Sequence, residues 1–210
     1  MLGKLHVQGG MSLIELLVGI AIIVMLFTFA APNFSTWMQN TQIRTAAEVL
    51  QNGLTLARSE AVSLNSTVRF QLTTTLDAGC ALSTSGTNWV VSLDNPEGAC
   101  GTHPWDPAVA TPTLPRIIQA RSGAEGSRNA LVAAGQSVVV FNGLGRQSPA
   151  VPGGGVNTVA INITNPIGGG CATDTPAGPM RCLRVVVFPN GQVLMCDPKF
   201  PSTDPQGCPP

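Results

Sequence analysis

Tyrosine is missing from this chain, histidine occurs twice, and charged residues fill only 10% of 210 positions. Each scarcity removes a class of function. Of the two histidines, His6 lies near the start. His103 sits among prolines with Asp106 three residues on, a setting for a solvated loop histidine rather than a general base. Serines are plentiful, yet none occupies the Gly-x-Ser-x-Gly turn that presents a nucleophile. The glycine clusters lack the strand-to-helix context of a phosphate-binding loop. No catalytic constellation and no cofactor site emerge, so the expectation is a chain that is not an enzyme. Eleven basic and eleven acidic side chains give a formal net charge of zero, which argues against broad attraction to nucleic acid or anionic lipid. The six cysteines contain no Cys-x-x-Cys pair, so the paired spacing of a zinc site is absent and no metal is expected.

What the chain does have is one long apolar run. Met11 to Ala31 is 21 residues with Glu15 as the only charge. At about 1.5 Å per residue a helix of that length reaches about 30 Å, the thickness of a bilayer core. An acid inside such a segment costs about 2.5–3.5 kcal/mol at mid-helix on insertion scales, which makes it a functional candidate by default. Three plainer readings compete. A secretory signal would have a shorter apolar middle, no acid in it, and no Pro32 beside the cut. An uncleaved single-pass anchor would leave Glu15 near the interface, and a buried core helix would conflict with the length. Lys4, the one charge before Glu15, favours a cytoplasmic N-terminal side and a remainder across the membrane.

The helical pattern continues beyond Pro32. Ile43, Ala47, Leu50, Leu54, Ala57, Ala61 and Leu64 recur at alternating spacings of four and three, forming one face backed by polar residues. Pro32 is expected to kink this helix rather than end it. Gly53 is expected to weaken it by about 1 kcal/mol relative to alanine. One bent helix from about Ser12 to about Leu64 follows.

The junction Gly9-Gly10-Met11-Ser12-Leu13-Ile14-Glu15 ahead of the apolar run resembles the type IV pilin-like family of pilins, minor pilins and type II secretion pseudopilins. The segment Arg44-Thr45-Ala46-Ala47-Glu48-Val49-Leu50 through Ala57-Arg58-Ser59-Glu60-Ala61 is similar to the same helix of the H-type pseudopilins and the FimT and FimU minor pilins. The resemblance implies an α+β fold, a long kinked N-terminal helix packed on an antiparallel β-sheet head. It implies a prepilin leader over 1–10, a transmembrane helix half over 11–31, an amphipathic half over 32–65 and a periplasmic β-rich head over 66–210. It implies cleavage by prepilin peptidase between Gly10 and Met11, N-methylation of Met11, and Glu15 as the assembly residue. Met11 departs from the family's usual Phe. The implied partners are other pilins or pseudopilins, the peptidase and the inner-membrane assembly platform. The implied location is the inner membrane, then a pseudopilus or pilus, at or near its tip.

After Thr67 the signal turns to short strands between Gly, Pro, Asn and Ser. Thr67–Leu72, Trp89–Leu93, Ile117–Ala120, Val138–Phe141 and Val156–Thr164 are expected strands. Leu183–Phe188 and Gln192–Cys196 form the clearest hairpin, because Asn190-Gly191 suits a tight turn. Val139-Val140-Phe141-Asn142-Gly143 and Val186 to Gly191 read as two similar turns. Residues 95–115, with five prolines, and the tail from Pro198 are long loops. Cys80, Cys100, Cys171, Cys182, Cys196 and Cys208 all fall in the head, where an oxidising compartment favours disulfides. Cys182 and Cys196 flank the hairpin nearly opposite each other, leaving Cys80 with Cys100 and Cys171 with Cys208. The local alternative joins Cys171 to Cys182 and Cys196 to Cys208.

Some FimT-like members are DNA receptors with a Gly-Arg-x-Arg pattern at the final turn. Here the stretch reads Gly191-Gln192-Val193-Leu194, without either arginine. Arg181 and Arg184 on the preceding strand, and Arg146 after the other turn, could make only a small basic spot. Weak, strongly salt-dependent contact is the most it would give, and nucleic acid is not an expected partner.

Overall fold

The computed structural model describes residues 12–102, 104–108 and 115–210, without the side chains of residues 29–33 and 124. Helix α1 runs from Leu13 to Ser63 and is uninterrupted at Pro32. The chain divides into two compact units, residues 1–37 and 38–210. In the first, Ser12 stands at the N-cap and its Oγ accepts the Glu15 N–H at 3.2 Å, satisfying one orphan donor of the first turn. The apolar side chains from Leu13 to Phe27 are exposed.

The second unit begins on α1 and continues, among the described residues, into nine strands. These are β1 (Val68–Thr73), β2 (Asn88–Ser92), β3 (Ile117–Arg121), β4 (Leu131–Ala134), β5 (Val138–Phe141), β6 (Gln147–Ser148), β7 (Val159–Thr164), β8 (Leu183–Val187) and β9 (Val193–Cys196), with a short helical turn α2 (Ala124–Ser127) before β4. All pairings between these strands are antiparallel, in a five-stranded sheet ordered β3-β2-β1-β5-β6 and a four-stranded sheet ordered β4-β7-β8-β9. The expected β-rich head is therefore built on two sheets. β4 and β6 were not legible as strands, β6 being two residues long and β4 having a single β-branched side chain, and β7 starts three residues later than its sequence pattern.

One core joins the helix to both sheets. Ile43, Ala46, Ala47, Leu50, Leu54, Ala57 and Ala61 meet Phe70, Leu72, Trp89 and Phe141 of the first sheet and Ile161, Ile163, Val185 and Val187 of the second. The small residues of this helix face leave room for the large side chains of the sheets. Gly53 carries that to its limit: a Cβ there would lie 2.8 Å from Phe70 Cε2 and 3.0 Å from Trp89 Cζ2. The glycine that weakens the isolated helix is what lets two buried rings pack on it.

The helix ends in a Schellman motif. Asn65 adopts a positive φ of 44°, the Ser66 N–H donates to Ala61 O at 3.1 Å, and the Asn65 N–H donates to Val62 O at 3.2 Å. The two similar turns meet here as neighbours from different sheets. The Gln147 N–H donates to Pro189 O at 3.1 Å, Arg58 Nε donates to Gly145 O at 3.0 Å, and a Cβ on Gly191 would lie 1.9 Å from that same oxygen. Gly191, at φ 84°, is required both by its turn and by this close approach.

All six cysteines are bonded, as Cys80–Cys100, Cys171–Cys182 and Cys196–Cys208. The first is as expected. The cross-hairpin bond between Cys182 and Cys196, and with it Cys171–Cys208, is overturned in favour of the local alternative. The register explains why: Cys196 stands opposite Arg184, two positions beyond Cys182. With every thiol bonded, none remains as a thiolate ligand for zinc.

Candidate functional site

Two regions carried the functional expectations: the start of α1 and the arginines around the last hairpin. At the start of α1, Glu15 occupies the first turn, where a carboxylate faces the positive end of the helix dipole. Leu13, Ile14, Leu16, Leu17 and Val18 around it are all more than half exposed. Thr28, the one polar side chain between Glu15 and the end of the run, donates its hydroxyl back to Met25 O at 2.7 Å. Such a bond leaves the run without an unsatisfied hydroxyl. Gly10 and Met11, the expected cleavage and methylation positions, lie outside the described residues, as does His103. Among the described residues no helix is long and apolar enough to cross a membrane. The run expected to do so, residues 11–31, extends past the described side chains at both ends.

Arg181 and Arg184 are each engaged by acceptors on neighbouring segments. The Arg181 guanidinium bonds the buried Asp197 carboxylate through Nε and Gln206 Oε1 at 3.0 Å, and lies 5.4 Å from the Phe200 ring centre. Its backbone N–H donates to Asn40 Oδ1 at 2.7 Å. Arg181 thus pins the C-terminal tail, and Cys196–Cys208 pins it again one strand away. Arg184 is half-buried and donates Nε to Asn162 Oδ1 at 2.7 Å across the strand pair. Arg146 lies in the β5–β6 turn, against the β8–β9 turn: its Cα is 3.2 Å from where a Cβ on Gly191 would stand, and its backbone N–H donates to Asn142 Oδ1. The expectation put Arg181 and Arg184 on one strand, but β8 begins at Leu183, so only Arg184 lies on it and Arg181 precedes it; nor could the sequence foresee that acceptors on other segments engage both.

Sequence reading also missed how the proline-rich loop is held. Arg116 binds Asp94 through two bonds of 2.8 Å and lies 5.9 Å from the Trp105 ring centre. The hydrogen bonds and charge of Arg116 hold the Asp94 carboxyl below its ordinary pKa despite partial burial, and Asp94 raises that of Arg116. Gln71, buried on β1, donates to Ser92 Oγ at 2.8 Å and to Asp94 O at 3.1 Å. Together with Cys80–Cys100, which joins a small second cluster with Val90, Ile117 and Leu76, these contacts tie the described parts of the loop to the five-stranded sheet. Among the described residues no group of three or more His, Cys, Asp or Glu is placed to hold a metal.

The family model of the type II transport protein GspH matches residues 46–191. The chain belongs to the GspH family. The match takes in the packed half of α1 and the strands through the final turn. It stops short of Glu15 at one end and of Cys196 and Cys208 at the other. Two crystal structures of the type IV minor pilin FimU from Pseudomonas aeruginosa are similar to this GspH-family chain. One is 18% identical, covering 79% of this chain and 98% of that one, with a TM-score of 0.44. The other is 17% identical, covering 82% and 98%, with a TM-score of 0.46. No curated protein matches the chain.

Proposed function

We propose that this GspH-family chain is a minor structural subunit of a periplasmic filament, a type II secretion pseudopilus or a type IV pilus, and that it works near the tip. The observation that carries the reading is the first turn of α1: a carboxylate, Glu15, set among exposed apolar side chains that nothing in the described chain covers. In this reading prepilin peptidase cuts after Gly10 and the new Met11 amine is methylated. The chain waits in the inner membrane with its head in the periplasm until the assembly platform extracts it. Lipid contacts of α1 are then exchanged for helix–helix contacts. The Glu15 carboxylate of one subunit pairs with the Met11 amine of a neighbour, so each charge offsets the other's desolvation cost and the pair fixes the axial stagger. A disulfide-stapled head keeps its shape through this transfer, because its core is independent of what surrounds residues 13–28.

Gly10→Asp is expected to leave a membrane-bound precursor heavier by the mass of the leader. Glu15→Val is expected to permit insertion and cleavage but to lose the subunit from the sheared filament fraction. Unchanged processing in the first variant, or normal incorporation of the second, would refute the respective step. The alternative, a DNA-receptor pilin, draws no support from Arg181 and Arg184, whose guanidinium groups already serve Asp197, Gln206 and Asn162.

A further inference from the structure

Glu15 and Arg44 bracket the longest uncharged stretch of the chain, residues 16–43. Its final part is not simply more apolar helix. Phe34 and Trp37, three residues apart on α1, are 58% and 62% exposed and bring their rings to a centroid distance of 5.8 Å. A few residues on, the helix changes character: Gln39 and Gln42 accept bonds from Asn165 and Asn129, Asn40 from Arg181, and Ile43 is fully buried. Along the chain, the aromatic pair therefore stands between an exposed apolar run and a polar, protein-bound segment.

We propose that Phe34 and Trp37 seat in the headgroup layer of the bilayer, at the periplasmic end of the membrane-embedded helix, before the subunit is assembled. The inference rests on the membrane reading above and adds a depth to it. If residues 11–31 fill the hydrocarbon core, Phe34 and Trp37 follow Ala31 by three and six residues. At about 1.5 Å per residue their Cα atoms lie about 4.5 and 9 Å beyond the core. Helix side chains lean toward the N-terminus, so each ring covers the turn before its own Cα. The Trp37 ring is thereby drawn back toward Phe34, as their contact shows. Both rings then fall within the headgroup layer, about 5–8 Å deep on each side. An indole, with an apolar body and one N–H donor, prefers that layer to either hydrocarbon or water. Exposed aromatics on a segment without charge fit a lipid interface better than open solvent. The first fixed charge, Arg44, comes two turns later, clear of the hydrocarbon.

The test uses the full-length chain in vesicles of phosphatidylcholine brominated either near the glycerol end or near the methyl end of the acyl chains. Trp89 and Trp105 also emit, so the signal of Trp37 is taken as the difference between the native chain and Trp37→Phe. The expected result is flotation of both proteins with the vesicles and a blue-shifted difference emission, with greater loss under the shallow bromines than the deep ones. Flotation with an unquenched difference signal would overturn the interfacial placement while leaving the anchor intact. Flotation with stronger loss under the deep bromines would put the pair inside the hydrocarbon and equally overturn it. Failure of the native chain to float would overturn the membrane reading itself, and this placement with it.

Discussion

Gly53→Ala sets local preference against tertiary packing at a single atom. Helix propensity alone says the change should stabilise, by about 0.8–1.0 kcal/mol. The structure says the opposite. The added methyl would meet Phe70 Cε2 at 2.8 Å and Trp89 Cζ2 and Cε2 at 3.0 and 3.1 Å. Neither ring can retreat, since Phe70 is 1% and Trp89 2% exposed and they pack on each other at 5.6 Å. Overpacking of this kind costs about 1–3 kcal/mol in measured cores. With both rings blocked at once the cost should lie in the upper part of that range, leaving a net loss of about 1–2 kcal/mol after the propensity gain. For a domain of this size that is a fall in Tm of about 2–8 °C. Urea unfolding of residues 38–210, followed by tryptophan emission, measures it directly because Trp89 is both reporter and contact. Asn52→Ala, at the exposed neighbour, supplies the control and should gain a few tenths of a kcal/mol. In a double-mutant cycle, Phe70→Leu should cost less in the Gly53→Ala background than in the native one. A Gly53→Ala protein more stable than the native would refute the packing argument.

The Asp94–Arg116 pair gives a pH signature. Because the folded pKa of Asp94 is lowered, its contribution is present above the unfolded value of about 3.9 and is lost as pH falls through the folded pKa. Asp94→Asn should therefore lower stability at neutral pH and converge with the native protein in acid, as read by urea midpoints across pH. A constant gap down to low pH would assign the loss to packing instead. Arg184→Ala should leave electrophoretic mobility of DNA mixtures unchanged at low salt, because the native head is expected to give no saturable shift. A saturable shift by the native protein that Arg184→Ala abolishes would revive the nucleic-acid reading. The Glu15→Val and Gly10→Asp outcomes stated above complete the set.

Much of the fold was legible because it is written in local periodicity. The buried face of α1 from Ile43 to Ala61 follows from its four-three spacing, and Asn190-Gly191 marks its hairpin as a two-residue signal. β6 escaped because two residues carry no alternation, and β4 because Leu131-Val132-Ala133-Ala134 has a single β-branched side chain where β5, of the same length, has three. Of the residues singled out for function, Glu15 is placed on the first turn where its spacing put it. The arginines could not be judged from sequence. Whether Arg181 is a free cation depends on Asp197 and Gln206, which reach it only after the tail folds back.

By itself the sequence determined the uncharged run, the acid near its start, the helical face that follows and an even set of cysteines. These depend on composition and on neighbours a few residues away. Only the tertiary structure decided that strands form two sheets sharing the helix, that Cys182 bonds Cys171 rather than Cys196, and that Gly53 is a contact rather than a flaw. Those outcomes depend on which distant surfaces come within a few ångströms, and pairing register and side-chain volume set that only once the chain has closed on itself.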